Sequence, residues 1–314
     1  MTDSAQTEDQ TVTSLDKSAL ASLDILDPGG VDWPRVERTA YLVHQHLRYE
    51  YPGPIANLDQ RLMIVPRARY GDQRRVMFHL DSSVAPAEQD EREDQFGNLV
   101  ISLRIPYIAQ AVDFEAWIVV ERQPAHGALR VPIAALSDPR LHSLSHLTSA
   151  DDAVRHAAED LASTGEHGLV LAQRIGAWTY NALRYEYGVT DIHSTAAEAL
   201  AAGRGVCQDY AHLMIALCRL CGLPARYVSG HLLGVGGTHA WVEVLLPDDE
   251  QPGEAIVWPF DPSNGCEVGL RYLTIAVGRD YRDVAPTSGT FHAAYAGTLQ
   301  AYKSVGLTAA DYAN

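Results

Sequence analysis

The stretch Gly203-Arg204-Gly205-Val206-Cys207-Gln208-Asp209 runs directly into apolar residues at helical spacing: Ala211, Met214, Ile215 and Cys218, with Leu217 and Cys221 alongside. A helix carrying this much apolar surface has to lie inside the fold, which restricts how the rest of the chain can be arranged. Gly222 and Pro224 mark its C-terminal end. Cys207 is therefore predicted in the first helical turn, its sulfur near the positive end of the macrodipole, where a thiol ionises more readily. A single cysteine there reads equally well as a small core residue. The segments downstream of the helix decide between the two.

Residues 225–233 read as a strand, followed by the turn Gly234-Val235-Gly236-Gly237. A second strand is predicted from Thr238 to Leu246 and a third from Ala255 to Phe260, which stops at Asp261-Pro262-Ser263-Asn264-Gly265. The turn residues at each break predict an antiparallel meander. His239 then starts one strand and Asp261 ends the next, and in antiparallel neighbours those two ends lie side by side. A thiol, an imidazole and a carboxylate on separate elements are what nucleophilic thiol catalysis needs. The imidazole takes the thiol proton, and the carboxylate holds the ring's tautomer and steadies its charge.

Four segments carry a resemblance. Gly205 to Asp209, Pro224 to Gly230, His239-Ala240-Trp241-Val242-Glu243 and Phe260 to Gly265 resemble, in order and spacing, the core motifs of the bacterial transglutaminase-like superfamily. Gly278 to Pro286 resembles a further motif of that branch. The resemblance implies a papain-like fold with Cys207 as nucleophile, His239 as base and Asp261 as orienting acid. It also suggests an aromatic or Gln donor completing an oxyanion hole beside the Cys207 N–H, with Tyr185 and then Gln208 as candidates. Trp241, two residues beyond His239 on the same strand face, is placed to shield the charged pair or line the acyl pocket; core packing explains it equally well. Asp209 and Arg226 are expected to form an ion pair supporting the helix.

The 314 residues allow one large or two ordinary domains, and a hydrophobic content of 46% suits a globular protein. A formal net charge of −16 argues against nucleic acid or an anionic membrane as partner. Residues 1–30 are predicted to be a polar, disordered tail without the basic start and apolar run of a signal peptide. No stretch approaches the roughly 20 apolar residues of a membrane helix, so a cytoplasmic location is expected. Regular short strands with turn signals predict a β-sandwich-like domain over 31–122, with the charged run Glu88 to Asp94 as a turn. This region resembles the N-terminal region that precedes the bacterial transglutaminase-like core, most recognisably at Asp94-Gln95-Phe96-Gly97-Asn98.

Residues 123–150 are predicted to be a linker, 151–300 the catalytic domain and 301–314 a C-terminal tail. Helices over Ala153–Ala162, Leu169–Leu183 and Thr195–Ala202 precede the meander, an α+β layout in which the nucleophile helix packs on an antiparallel sheet. Cys218 and Cys221 lie within the apolar helix with no second ligand pair and read as core residues, while His44, His46 and His79 read as surface or packing residues. No calcium cage of alternating Asp ligands is recognisable, so the expected reaction needs neither metal nor cofactor.

The expected chemistry is attack of Cys207 on a peptide or carboxamide carbonyl of a protein or peptide, giving a thioester that water or an amine resolves. Hydrolysis by a protease or amidase is preferred slightly over crosslinking by a transglutaminase, because an amine route needs a water-poor acceptor groove. The competing class is a binding module that kept the fold without the activity.

Overall fold

The computed structural model describes residues 20–124 and 127–313. It opens with strands β1 (Val36–Glu50), β2 (Ile55–Leu62), β3 (Arg69–Tyr70), β4 (Gln73–Ser82), β5 (Glu88–Glu93), β6 (Leu99–Ile108) and β7 (Ala111–Arg122). A short β8 (Arg130–Pro132) and helix α1 (Pro139–His142) lead to α2 (Asp152–Ala162) and α3 (Gly168–Ala182). Next come β9 (Arg184–Tyr185), α4 (Ala196–Ala202), β10 (Arg204–Gly205) and α5 (Cys207–Leu220). The antiparallel run β11 (Ala225–Leu232), β12 (His239–Pro247) and β13 (Glu254–Asp261) follows, then β14 (Cys266–Glu267), β15 (Tyr272–Gly278), β16 (Thr287–His292) and β17 (Thr298–Tyr312).

Strict alternation builds the N-terminal half. Along β7, Val112, Phe114, Ala116, Ile118 and Val120 are all buried while their neighbours are partly exposed. One sheet runs β17-β1-β7-β4-β3 and a second runs β16-β2-β6-β5. Tyr41, Leu47, Leu58, Ile101, Phe114 and Ile118 form a common core between them, which makes a β-sandwich.

The remaining sheet runs β14-β13-β12-β11-β15, with β8 also on β13. Its middle strands are buried on both faces, which requires cover on each side. Ala240, Val242 and Val244 face α5, which is itself buried along nearly its whole length, and α2 and α3 pack around that helix. Trp241 points the other way, into a cluster with Tyr70 of β3, Val228 and Tyr272. The sheet is thus a middle layer, with helices on one face and the sandwich on the other. This is the papain-like, transglutaminase-like architecture preceded by a sandwich.

Four expectations are corrected. The C-terminal tail over 301–314 is instead most of β17, an edge strand paired with β1 from Val36↔Tyr312 to Glu50↔Thr298. With β16, it carries the chain back into the sandwich, so the boundary at 300 disappears. The linker over 123–150 is built into the core, apart from Ala125 and His126, which lie outside the described residues. Leu141, Leu147 and Thr148 are buried. Arg219 of α5 reaches the carbonyls of Leu141 and Ser143 and the hydroxyl of Thr148. Of the tail expected over 1–30, residues 1–19 lie outside the described residues; Leu20 is buried, and Leu26 donates its N–H to Leu307 O at 2.8 Å. Glu88–Glu93 is an exposed edge strand rather than a turn, since charged side chains are how an edge avoids further pairing.

The motif Asp94-Gln95-Phe96-Gly97-Asn98 acts at the junction. The buried Asn98 side chain donates to Val277 O and accepts from Val277 N, both at 2.8 Å. Asp94 Oδ2 receives the Asn98 amide at 2.9 Å and sets its orientation. Gln73 treats Thr274 in the same way, at 2.8 and 2.9 Å. Two side-chain amides therefore stand in for a neighbouring strand along the free edge of β15. In Asn98→Ala the Val277 N–H and C=O lose these partners, and we expect urea unfolding to report a loss of about 2–4 kcal/mol. A loss below about 0.5 kcal/mol, the level of an ordinary surface change, would show that the clamp is dispensable.

Candidate functional site

Cys207 is the first residue of α5. Asp209 closes that turn: its Oδ2 accepts the Val206 N–H and the Thr190 hydroxyl, each at 2.7 Å. A Cβ on Gly205 would lie 2.6 Å from the same oxygen, so only glycine fits there. The expected Asp209–Arg226 pair does not form. Arg226 binds Glu243 at 2.7 Å and the Tyr70 hydroxyl at 2.8 Å, because its strand turns it towards the sandwich while Asp209 caps a helix on the opposite face.

The meander places His239 and Asp261 at adjacent strand ends, Val242↔Phe260 being the nearest paired register. His239 Nε2 lies 2.7 Å from Asp261 Oδ2. An ionised carboxylate only accepts, so Nε2 carries the proton and Nδ1 is left for the thiol. Asp261 is fully buried and well supplied with donors. Its Oδ1 accepts the Ser263 N–H (3.0 Å), the Ser263 hydroxyl (2.7 Å) and the Asn264 N–H (3.2 Å). Its Oδ2 also accepts the Asn264 amide (2.6 Å) and the Tyr272 hydroxyl (2.9 Å).

Burial alone would raise the Asp261 pKa, yet His239, Ser263 and Asn264 bring it down to about 2. Burial likewise opposes charge on His239, but hydrogen bonds to Asp261 and then to the Cys207 side chain outweigh it and lift the ring to about 9. Cys207, His239 and Asp261 are therefore brought together.

Tyr185 reaches the same place through a two-residue parallel ladder, Arg184↔Arg204 and Tyr185↔Gly205, directly ahead of Cys207. Its pKa is raised by burial, by a hydrogen bond to Tyr187 and by the nearby Cys207 thiol, while the Cys207 backbone N–H acts in the opposite sense. The Tyr185 hydroxyl donates to the Tyr187 hydroxyl at 3.4 Å. Gln208 is not brought to the site: its amide turns towards Asp191 O at 3.5 Å, since residues adjacent on a helix point in different directions. Trp241 is buried, its ring centroid 6.3 Å from that of His239 and edge-on to Tyr272 at 5.5 Å. A Cβ on Gly230 would stand 2.5 Å from the Trp241 ring and 2.1 Å from Leu273 O, so the indole occupies space that Gly230 leaves open.

Ser263, Asn264 and Tyr272 carry no role in the sequence reading. The first two were within reach, because Asp-Pro-Ser-Asn is an Asx-type turn that folds backbone N–H groups onto its own carboxylate. Nothing local announces Tyr272. Cys218 is buried and its thiol pKa is pushed up by desolvation, while Cys221 is half-buried and donates to Ala158 O. His44 and His46 pair with Glu115 and Asp113 of β7, each at 2.8 Å.

This geometry has relatives. Residues 155–258 match the transglutaminase-like superfamily and residues 41–121 match the bacterial transglutaminase-like N-terminal region. An uncharacterised protein of Mycobacterium tuberculosis is 30% identical over 277 residues, spanning 80% of this chain and 87% of that protein. One from Mycobacterium leprae is 29% identical over 270 residues, 77% and 90% of the two chains. The crystal structure of a candidate cysteine protease from Cytophaga hutchinsonii shares the fold, with a TM-score of 0.70 at 22% identity over 88% of this chain and 93% of that one. The chain belongs to the transglutaminase-like superfamily.

The two shifted groups act on stability in opposite pH ranges. Asp261, held near 2 instead of 3.8, stabilises the fold above 3.8 and loses that contribution as pH falls towards 2. His239, lifted from 6.5 to about 9, contributes fully below 6.5 and loses its contribution as pH rises through 9. The wild-type advantage over His239→Gln in urea unfolding should therefore shrink between pH 6.5 and 9. A constant difference across that window would mean that the ring is not held protonated.

Proposed function

We propose that this chain is a cysteine-dependent enzyme that attacks a peptide or carboxamide carbonyl. One observation carries the reading: His239 Nε2 lies 2.7 Å from the buried Asp261 carboxylate, beside Cys207 at the start of α5, so the ring is held ready to take the thiol proton. The thiolate adds to the carbonyl carbon. The oxyanion that forms is received by the Cys207 N–H and the Tyr185 hydroxyl. His239 gives its proton to the departing nitrogen as the C–N bond breaks, leaving a thioester and a neutral ring. The ring then takes a proton from water, the hydroxide attacks the thioester, and the acid leaves with the thiol restored.

Hydrolysis is preferred over amine transfer because the approach is open. Tyr185 is 39% exposed and Tyr187 75% exposed beside Cys207, so water has access and no dry acceptor groove is evident on this side. The substrate in this reading is a protein or peptide; the strong negative charge disfavours nucleic acid and anionic membrane. A cytoplasmic setting is part of the proposal, in keeping with four cysteines that are all free. No helix among the described residues is long and apolar enough to cross a membrane.

Iodoacetamide tests the thiolate. Cys207 should be modified at least about tenfold faster than the exposed Cys266, and His239→Ala should remove that advantage. Equal rates for the two cysteines would instead favour a binding module. For the reaction itself, a glutamine peptide with and without a primary amine, weighed by mass spectrometry, should give mainly the acid. Predominant amine incorporation would establish the transferase. With a working substrate, kcat/KM should fall as pH rises past about 9, where His239 loses its proton.

A further inference from the structure

We infer that the N-terminal sandwich is a working part of the thiol site: Arg122 and Tyr41 hold the backbone that carries Tyr272, and Tyr272 is a positioning residue that fixes Asp261 against His239. The inference rests on the Cys207 chemistry proposed above and assigns a role to the sandwich within it.

The donors to Asp261 fall into two groups. Ser263 and Asn264 belong to its own turn and move with it, so they hold the carboxylate to the turn without aligning the turn to anything else. Tyr272 comes from β15, at the opposite edge of the sheet from β13 and separated from it by β12 and β11. Its side chain crosses the sheet to reach Asp261 Oδ2 at 2.9 Å, the oxygen that also takes His239 Nε2. On the way its ring lies 5.9 Å from that of His239 and edge-on to Trp241. Tyr272 thus ties the carboxylate to a second strand, in addition to the β12–β13 ladder that carries the Asp261 backbone.

The sandwich adds to the Leu232↔Tyr272 pairing in holding that strand. Arg122, at the end of β7, donates through one terminal nitrogen to Gly269 O at 2.6 Å and to Tyr272 O at 2.8 Å. The rest of its guanidinium is locked on Asp72, at 2.8 to 3.0 Å, so the donor aimed at those carbonyls is fixed beforehand. Tyr41 of β1 donates to Leu270 O at 2.6 Å. Two sandwich side chains therefore hold three carbonyls in the four-residue stretch ending at Tyr272.

Cavities border the tyrosine as well as packed side chains. Tyr272 lines a 370 Å³ cavity shared with Tyr70, Arg122, Trp241 and Thr274. It also lines a 700 Å³ cleft with Trp33, Val235, Asn264 and Arg271. Its ring is buried against Trp241 and Val228, and its hydrogen bonds fix where the hydroxyl points within that packing.

The test uses the full chain and the rate of Cys207 modification by iodoacetamide, with added N-acetylcysteine as the reference thiol, because the Cys266 sulfur lies 3.5 Å from the Tyr272 hydroxyl. We expect Tyr272→Phe and Arg122→Met each to slow Cys207 modification by about threefold to tenfold, the range of one net hydrogen bond. The acid limb of the rate–pH profile should move to higher pH, because a less well-oriented imidazolium stabilises the thiolate less. Since Arg122 acts through Tyr272, the double variant should be no slower than the slower single variant. If Arg122→Met does not purify as folded protein, Arg122→Lys takes its place, because an ammonium keeps the charge beside Asp72 but cannot span the same carbonyls. Rates within about twofold of wild type for either single variant, or a double variant equal to the product of the two, would overturn the inference. Those outcomes leave a wild-type Cys207 that is still fast and still dependent on His239. Failure of the thiol reading itself would show instead as a wild-type Cys207 no faster than the reference thiol.

Discussion

A carboxylate with no exposure to solvent is costly unless its charge is matched on every side, and Asp261 is such a group. Six hydrogen bonds converge on its two oxygens: three from the Ser263 and Asn264 backbone and hydroxyl, and one each from the Asn264 amide, Tyr272 and His239. Much of the surrounding structure is a consequence of that requirement. The turn after β13 has to be Asp-Pro-Ser-Asn or close to it, because a looser turn would leave Oδ1 unsatisfied. β12 has to begin at His239, because the imidazolium supplies the opposing charge. Once those constraints are met, the Nδ1 side of the ring is free to address a thiol at the start of a helix on the other face.

The middle sheet explains why a second domain is needed. Its inner strands are apolar on both faces, so helices alone cannot cover it. The sandwich supplies the missing face with polar contacts as well as apolar ones. Asn98 and Gln73 complete the open edge of β15, and Tyr70 joins the buried Arg226–Glu243 pair. β16 and β17 close the arrangement by returning to the sandwich after the site has been built, β17 forming a ladder along β1. Neither half is an independent module in the usual sense.

What could be read beforehand had local causes. The α5 helix, the meander and the convergence of Cys207, His239 and Asp261 stem from helical spacing, turn residues and antiparallel geometry. The errors shared another cause. β17 is a mostly exposed or half-buried edge strand, and its pairing partners lie 248 to 276 residues away in sequence. The stretch before α2 is rich in proline and serine, yet Arg219 gathers its carbonyls from a distant helix. Asp209 and Arg226 carry opposite charges at plausible separation, but they sit on elements that face apart. Each of these depends on which element lies beside which.

The amino-acid sequence by itself determined the central helix, the meander and the order of the reactive groups, because hydrophobic period, capping and turn chemistry act within a few residues. Only the tertiary structure decided what surrounds those groups: that Tyr185 stands beside Cys207, that Tyr272 reaches Asp261 from the far edge of the sheet, and that the sandwich holds Tyr272 in place. These are contacts between separate elements, set by packing a doubly buried sheet between two covering layers, and no local pattern encodes them.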